Sequence, residues 1–234
     1  MAQPETLGYT LGQKIELIIL RVATKILIRF QAMGLDNIPL SGPVIVVINH
    51  IALLDPVIVC GSLPRLATPL AKKEAFDLWI IGFLMRIYGT ISIRRGEVDI
   101  AAIKAALRVL NNGGLILLAP EGTRSPTRQL QPAKEGAMML ALRSGAAIVP
   151  IGVTGTHQLK AHWKKFRRAP VSMSIGKPFY LCPKTKHRRV SRAEMSAMAR
   201  ETMYRLARQL PKEYRGVYDD LEKATQTYLA PLES

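Results

Sequence analysis

The stretch Pro43-Val44-Ile45-Val46-Val47-Ile48-Asn49-His50-Ile51-Ala52-Leu53-Leu54-Asp55-Pro56 decides the fold. Its first six residues form a continuous apolar run rich in β-branched side chains, which suits a strand buried on both faces. Asp is a preferred helix N-cap and Pro a preferred first helical residue, so Asp55-Pro56 opens a helix. A strand, a short turn and a helix in that order make the repeating unit of a covered sheet.

Outward from this unit the alternation recurs. Thr90 to Ile93 and Val171 to Ile175 alternate as strands do, and Leu115 to Leu118 and Ala147 to Ile151 are continuous apolar runs. Asp99 is placed to cap a helix through Leu110, closed by Gly113-Gly114, and Pro132 to Arg143 suits a second helix ended by Gly145. Ser191 to Leu210 suits a third, stopped by Pro211. The expected architecture is a single α/β domain, a mixed and mostly parallel sheet flanked by helices over residues 36–190. A helical extension over 191–234 follows it, and residues 1–35 hold an amphipathic helix for membrane-surface attachment.

That helix runs from about Leu11 to Phe30. At 100° per residue, Lys14, Arg21, Lys25 and Arg29 fall in an arc of roughly 80°, while Ile15, Ile19, Ala23, Ile26, Leu27 and Phe30 gather opposite. Periodicity leaves two readings open: a helix lying in a membrane interface, or a core-packed helix with a solvated charged face. A second apolar stretch, Leu78 to Met85 with Trp79, offers either a further insertion surface or buried core. No apolar run reaches the roughly 20 residues of a membrane span, so the chain is expected not to cross the bilayer.

The 33 Lys and Arg against 17 Asp and Glu give a formal charge of +16 and point to an anionic partner. No paired zinc ligands or aromatic RNA-binding signature is present, so nucleic acid is not expected and a phosphate-bearing substrate or acidic membrane surface is. Cys60 and Cys182 lack metal-ligand spacing, and His157, His162 and His187 have no carboxylate partners at such spacing. These histidines read as surface or loop residues, and no metal or cofactor is expected. The basic cluster Lys160 to Arg168, with Trp163, is a solvated loop, a membrane contact or a dock for an acidic acyl carrier protein.

Two polar turns carry the chemistry. A His and an Asp five residues apart lie about 140° apart on a regular helix, so His50 and Asp55 meet only if His50 sits in the turn and Asp55 opens the helix. The second turn follows the Leu115 to Leu118 strand: Ala119-Pro120-Glu121-Gly122-Thr123-Arg124-Ser125. Gly122 permits close backbone approach, and Arg124 offers a planar fork of donors to phosphate. Each turn alone could be structural, Asp55 a cap and Arg124 an exposed loop residue; together they resemble two walls of one cleft.

These blocks resemble the glycerolipid acyltransferases, in particular the lysophosphatidate (1-acyl-glycerol-3-phosphate) acyltransferases. Asn49-His50 to Asp55 matches the first block, and Gly89 to Arg95, preceded by Ala71-Lys72, the second. Pro120 to Ser125 matches the third, and Ile148-Val149-Pro150-Ile151 the fourth. The second block departs from the family in carrying Ser92 where an aromatic is usual, and in lacking a Pro within Leu78 to Gly82. The resemblance implies transfer of a fatty acyl chain from acyl-CoA or acyl carrier protein to the free hydroxyl of a lysophospholipid. His50 would be the base and Asp55 its orienting partner; Lys72, Arg95, Glu121, Gly122, Thr123 and Arg124 would form the phosphate site, with Asn49 and Lys134 in support. It places the protein on the membrane surface at the cytoplasmic face, and leaves the oligomeric state open.

Rival readings are an acyltransferase for glycerol 3-phosphate or another lysolipid, a Ser125 or Cys60 hydrolase, and a basic lipid- or nucleic-acid-binding protein. The hydrolase lacks a Gly-x-Ser-x-Gly elbow. The binding protein leaves both motif turns unexplained.

Overall fold

Strand β2 (Val44–Ile48) is buried along its whole length because both of its faces are covered, which explains its unbroken apolar sequence. In the computed structural model, which describes residues 10–94, 96–184 and 190–232, it lies at the centre of a nine-stranded sheet. Its neighbours, β5 (Leu115–Leu118) and β6 (Ala147–Thr154), both pair with it in parallel. β3 (Ala67–Lys72) continues the sheet beyond β5, and β4 (Ile91–Ile93) beyond β3, again in parallel. On the other side β7 (Ala169–Ile175) runs antiparallel to β6, and β1 (Ile28–Met33) lies parallel to β7. The short strands β8 (Phe179–Leu181) and β9 (Leu229–Pro231) add antiparallel pairings to β6 and to each other.

Two helical layers cover the sheet. On one face, α1 (Leu11–Leu27), α2 (Asp55–Ser62) and α3 (Trp79–Tyr88) bury Leu17, Val59, Cys60 and Tyr88 against Val44, Val46, Ile48, Leu115 and Leu117. On the other, α4 (Ile100–Asn111), α5 (Gly136–Ser144) and α7 (Arg192–Ala207) pack Ala106, Leu110, Met138, Ala141 and Met198 on Ile45, Val47, Ile116 and Ile148. The alternation of inward residues along β2 thus feeds two separate cores. The short α6 (Leu159–Trp163) sits with the first layer, where Leu159 and Trp163 meet Ile58 and Leu54.

The mixed, mostly parallel α/β architecture is the expected one, and Asp99 caps α4 with a bond from the Ala102 amide. Strands β6 and β7 run longer than expected, and three helix boundaries differ by more than one residue. The N-terminal helix stops at Leu27, and Arg29 and Phe30 belong to β1, because the backbone from Ile28 is committed to the β7 ladder. The helix expected from Pro132 begins only at Gly136, because the Gln131 and Lys134 amides are bonded to Glu121 and to the Pro120 carbonyl. Beyond Ala207 the chain forms 3-10 turns and then β9 rather than more helix. There the buried Glu201 carboxylate takes the Thr225 hydroxyl and the Thr227 and Tyr228 amides, which fastens the C-terminal strand to α7.

Candidate active site

His50 stands in the turn just past β2 and Asp55 is the first residue of α2, so the chain reverses between them. The Nδ1 of His50 lies 3.0 Å from Oδ2 of Asp55. The same oxygen accepts the Ile51 and Ala52 amides at 2.7 Å each. Asp55 therefore turns its carboxylate back into the loop instead of capping its own helix. Its exposure is 0% and that of His50 is 9%, so the pair is held out of bulk water with little rotational freedom. Nδ1 is thus the ring nitrogen engaged by Asp55, and Nε2 is the one left for another partner.

The second turn is fastened to the first through backbone. The His50 amide donates to Oε1 of Glu121 at 3.2 Å, and the Ser125 amide donates to the His50 carbonyl at 2.8 Å. Glu121 Oε2 takes the Gln131 amide at 3.1 Å. Glu121 is buried, and burial pushes its carboxyl up to about 7; the Gln131 and His50 amides pull it down, and the nearby Asp55 charge adds to the rise. Gly122 adopts φ +72°, a conformation that favours glycine, and the Lys134 side chain lies where its Cβ would be. Thr123 and Arg124 are exposed at the rim, and Arg124 makes no ion pair among the described residues.

Asn49 fastens the His50 turn on its other side. Its amide nitrogen donates to the Val153 carbonyl at 2.8 Å, and its oxygen accepts the Val153 amide at 2.7 Å. A side chain that mimics a strand's two backbone groups here extends the β2–β6 pairing past the end of β2. Lys72 ends β3 two strands away and pairs with Glu74 at 3.1 Å on the surface. Arg95 lies outside the described residues, as does His187.

The structure thus brings together Asn49, His50, Asp55, Glu121, Gly122, Thr123, Arg124 and Lys134, with Lys72 further along the same sheet edge. The Ser125, Gln131 and Val153 amides also hold the site; backbone donors have no residue-type signature, so motif reading passes them over. His157 is less solvated than expected of a loop histidine. Its ring packs on Tyr214, and burial and then the Arg128 charge lower its basicity, while the Asp55 charge raises it. The rival nucleophiles are poorly placed. The Cys60 thiol is buried and pushed up to about 12, first by burial, and the Ser125 hydroxyl pairs with Thr127 at 3.3 Å.

A buried imidazole–carboxylate pair at the end of a parallel strand, bonded to a neighbouring turn that carries the exposed Arg124, defines a class by its geometry: α/β proteins with a histidine–aspartate pair and a basic turn at one end of the sheet. The chain belongs to the acyltransferase family, whose model matches residues 29–154 and so contains both turns. It is 30% identical over 154 residues to the chloroplastic 1-acyl-sn-glycerol-3-phosphate acyltransferase BAT2 of Brassica napus, covering 63% of this chain and 44% of that one. It is 31% identical over 144 residues to the human 1-acyl-sn-glycerol-3-phosphate acyltransferase alpha, covering 60% and 50%. The chain spans about half the length, or less, of the curated relatives it matches. The crystal structure of the 1-acyl-sn-glycerophosphate acyltransferase PlsC from Thermotoga maritima shares the fold, with a TM-score of 0.62 at 23% identity over 90% of this chain and 81% of that one.

Proposed function

We propose that this protein transfers a fatty acyl chain from the thioester of acyl-CoA or acyl carrier protein to the free hydroxyl of 1-acyl-glycerol 3-phosphate, giving phosphatidate. The observation that carries the reading is the backbone connection between the two turns: Glu121 receives the His50 amide while the His50 carbonyl receives the Ser125 amide. A base and an anion-binding turn so joined would hold a hydroxyl and its neighbouring phosphate at fixed separation.

In this mechanism Nε2 of His50 takes the proton as the hydroxyl oxygen attacks the thioester carbonyl, and Asp55 steadies the imidazolium that forms. The tetrahedral intermediate collapses with cleavage of the C–S bond, and the proton passes from Nε2 to the departing sulfur. Arg124, with Lys134 and Lys72, pairs with the acceptor phosphate; Thr123 and Gly122 shape the turn, and Arg95 is a further candidate cation. Asn49 acts as the support of the His50 turn. No covalent acyl-enzyme is needed.

The reading includes the membrane surface at the cytoplasmic face. No helix among the described residues is long and apolar enough to cross a bilayer. α1 nonetheless leaves Leu11, Ile15, Ile18, Ile19, Val22 and Ile26 exposed. By helix geometry these six fall in an arc of about 100°. Leu17, Leu20 and Ala23 face the protein instead, and Arg21 donates to the Gly61 carbonyl at 3.2 Å. α3 exposes Trp79, Ile80 and Phe83. Lys14 and Lys25 are exposed beside these six, and apolar and basic side chains left uncovered together support an interfacial helix over a core-packed one.

The test is labelled acyl transfer by purified protein, with lysophosphatidate, glycerol 3-phosphate and other lysolipids as acceptors against both donor types. Phosphatidate formation that disappears in His50→Ala is the expected result. Absence of transfer to any acceptor would leave only the lipid-binding alternative.

A further inference from the structure

The β6–β7 connection ends in Lys164-Lys165-Phe166-Arg167-Arg168, and Phe166 at its tip is fully exposed. Its backbone is left-handed, with φ +53°, a region that a bulky residue occupies only at a cost. Glycine or asparagine would make the same turn more cheaply. The loop is nevertheless well fastened. Phe166 and Arg167 donate to the Trp163 and His162 carbonyls at 3.0 Å each, and the Trp163 indole donates to the Leu27 carbonyl at 2.9 Å. The Arg168 guanidinium gives the Ile28 carbonyl two bonds, at 3.0 and 2.7 Å. These last two carbonyls lie where α1 passes into β1, so the aromatic tip is tied to the end of the exposed apolar stripe of α1. Lys164, Lys165 and Arg167 remain exposed around it.

Topology places this loop relative to the chemistry. β7 begins at Ala169 beside the end of β6 that lies next to His50, and only β6 stands between β7 and β2. At about 4.8 Å per strand the lateral offset is roughly 10 Å. On the other side, β3 is separated from β2 only by β5, and it leads through Lys72 into the exposed Trp79 end of α3. His50 therefore sits between two apolar-tipped connections on one end of the sheet.

We propose that Lys164–Arg168 is a second membrane contact, which places Phe166 beneath the headgroups of an anionic lipid surface while Lys164, Lys165 and Arg167 pair with lipid phosphates. The proposal rests on the membrane reading above. Two observations favour lipid over an acidic carrier protein as the occupant: the loop is bonded to the end of α1, whose apolar stripe is uncovered, and exposed cations flank a single exposed aromatic as in an interfacial anchor. Contact at this loop and at α3 would bring the His50 opening against the leaflet that holds the lysolipid.

The test is binding of the whole protein to phosphatidylcholine vesicles with and without phosphatidylglycerol, read by co-sedimentation at low and high salt. Phe166→Gly removes the ring and suits the left-handed backbone, so it should fold as well as the parent yet bind both vesicle types roughly tenfold more weakly. Lys164→Gln, Lys165→Gln and Arg167→Gln should each cost about fivefold on anionic vesicles and little on neutral ones. Parental vesicle binding by all four variants would overturn the proposal. Parental binding joined to a raised KM for acyl carrier protein would overturn it in favour of a protein dock. Co-sedimentation needs no turnover, so a failure here leaves acyl transfer standing, and a failure of acyl transfer leaves this result readable.

Discussion

The His50 turn and the outer face of α1 stand at opposite extremes of the molecule. At the turn, Asp55 is wholly buried and one of its oxygens serves three donors, while Glu121 and Asn49 spend both oxygens or both ends on backbone. On α1, six large apolar side chains touch no core, although they lie on a helix that is well capped by Thr10 and Gln13. The first region spends most of its buried polar atoms on protein partners, Oδ1 of Asp55 excepted; the second leaves apolar surface that water does not satisfy. The difference teaches that the proposed base and the proposed membrane contact fall on separate elements, so substitutions should separate them.

The largest expected effect is His50→Ala. Loss of a general base should lower turnover by about 10²- to 10⁴-fold. Thermal melting and vesicle binding should stay near parental, because the bonds that join the turns use the backbone of residue 50. Near-parental turnover would refute the assigned base. Asp55→Asn should follow, since its amide oxygen can still take the Ile51 and Ala52 amides and Nδ1 but brings no negative charge to steady the imidazolium, with a loss on the order of 10²-fold or more in kcat. A vesicle-binding defect in either variant would break the separation.

On the other region, Ile15→Ser, Ile18→Ser, Ile19→Ser and Val22→Ser combined should weaken vesicle binding by roughly 10²-fold or more. Each site should shift folding stability by no more than about 0.5 kcal/mol, because each of these side chains is at least half exposed and none belongs to the core. Turnover on detergent-dispersed substrate should hold. A collapse of the melting temperature would instead mean that the stripe is covered by protein.

The same contrast explains what could be read from sequence. Local rules set Val44–Ile48, Leu115–Leu118 and the Asp99 cap, and those elements appear where periodicity and capping chemistry put them. The meeting of His50 with Asp55 was legible too, because five-residue spacing allowed it only across a strand-to-helix turn. Which side of α1 faces the protein was not legible. Ala23 and Ile19 carry the same apolar signal, yet one is half-buried and the other exposed, since the choice is made by α2 and α3, far away in sequence. The late start of α5 was hidden for a related reason. Residues Pro132 to Glu135 have a helical pattern, but the long-range bonds to Glu121 and Pro120 outweigh a local preference worth only tenths of a kcal/mol per residue.

The smallest and most discriminating prediction concerns Glu121, which belongs to the site by position but resists ionising because it is buried. Its carboxyl is raised from the ordinary 4.5 to about 7, so the folded state holds this proton more tightly than the unfolded chain does. A group shifted in this direction contributes its full stability below about pH 4.5 and loses it as pH rises through about 7. The stability of the parent relative to Glu121→Gln, which cannot titrate there, should therefore fall across that window, by at most about 3 kcal/mol. Paired urea titrations at pH values spanning the window measure the difference directly. A rise instead of a fall would mean that the His50 and Gln131 amides dominate over burial and fix Glu121 as a carboxylate. The turn between the base and Arg124 would then carry a permanent negative charge, and the cations left to meet a phosphate would be fewer by one.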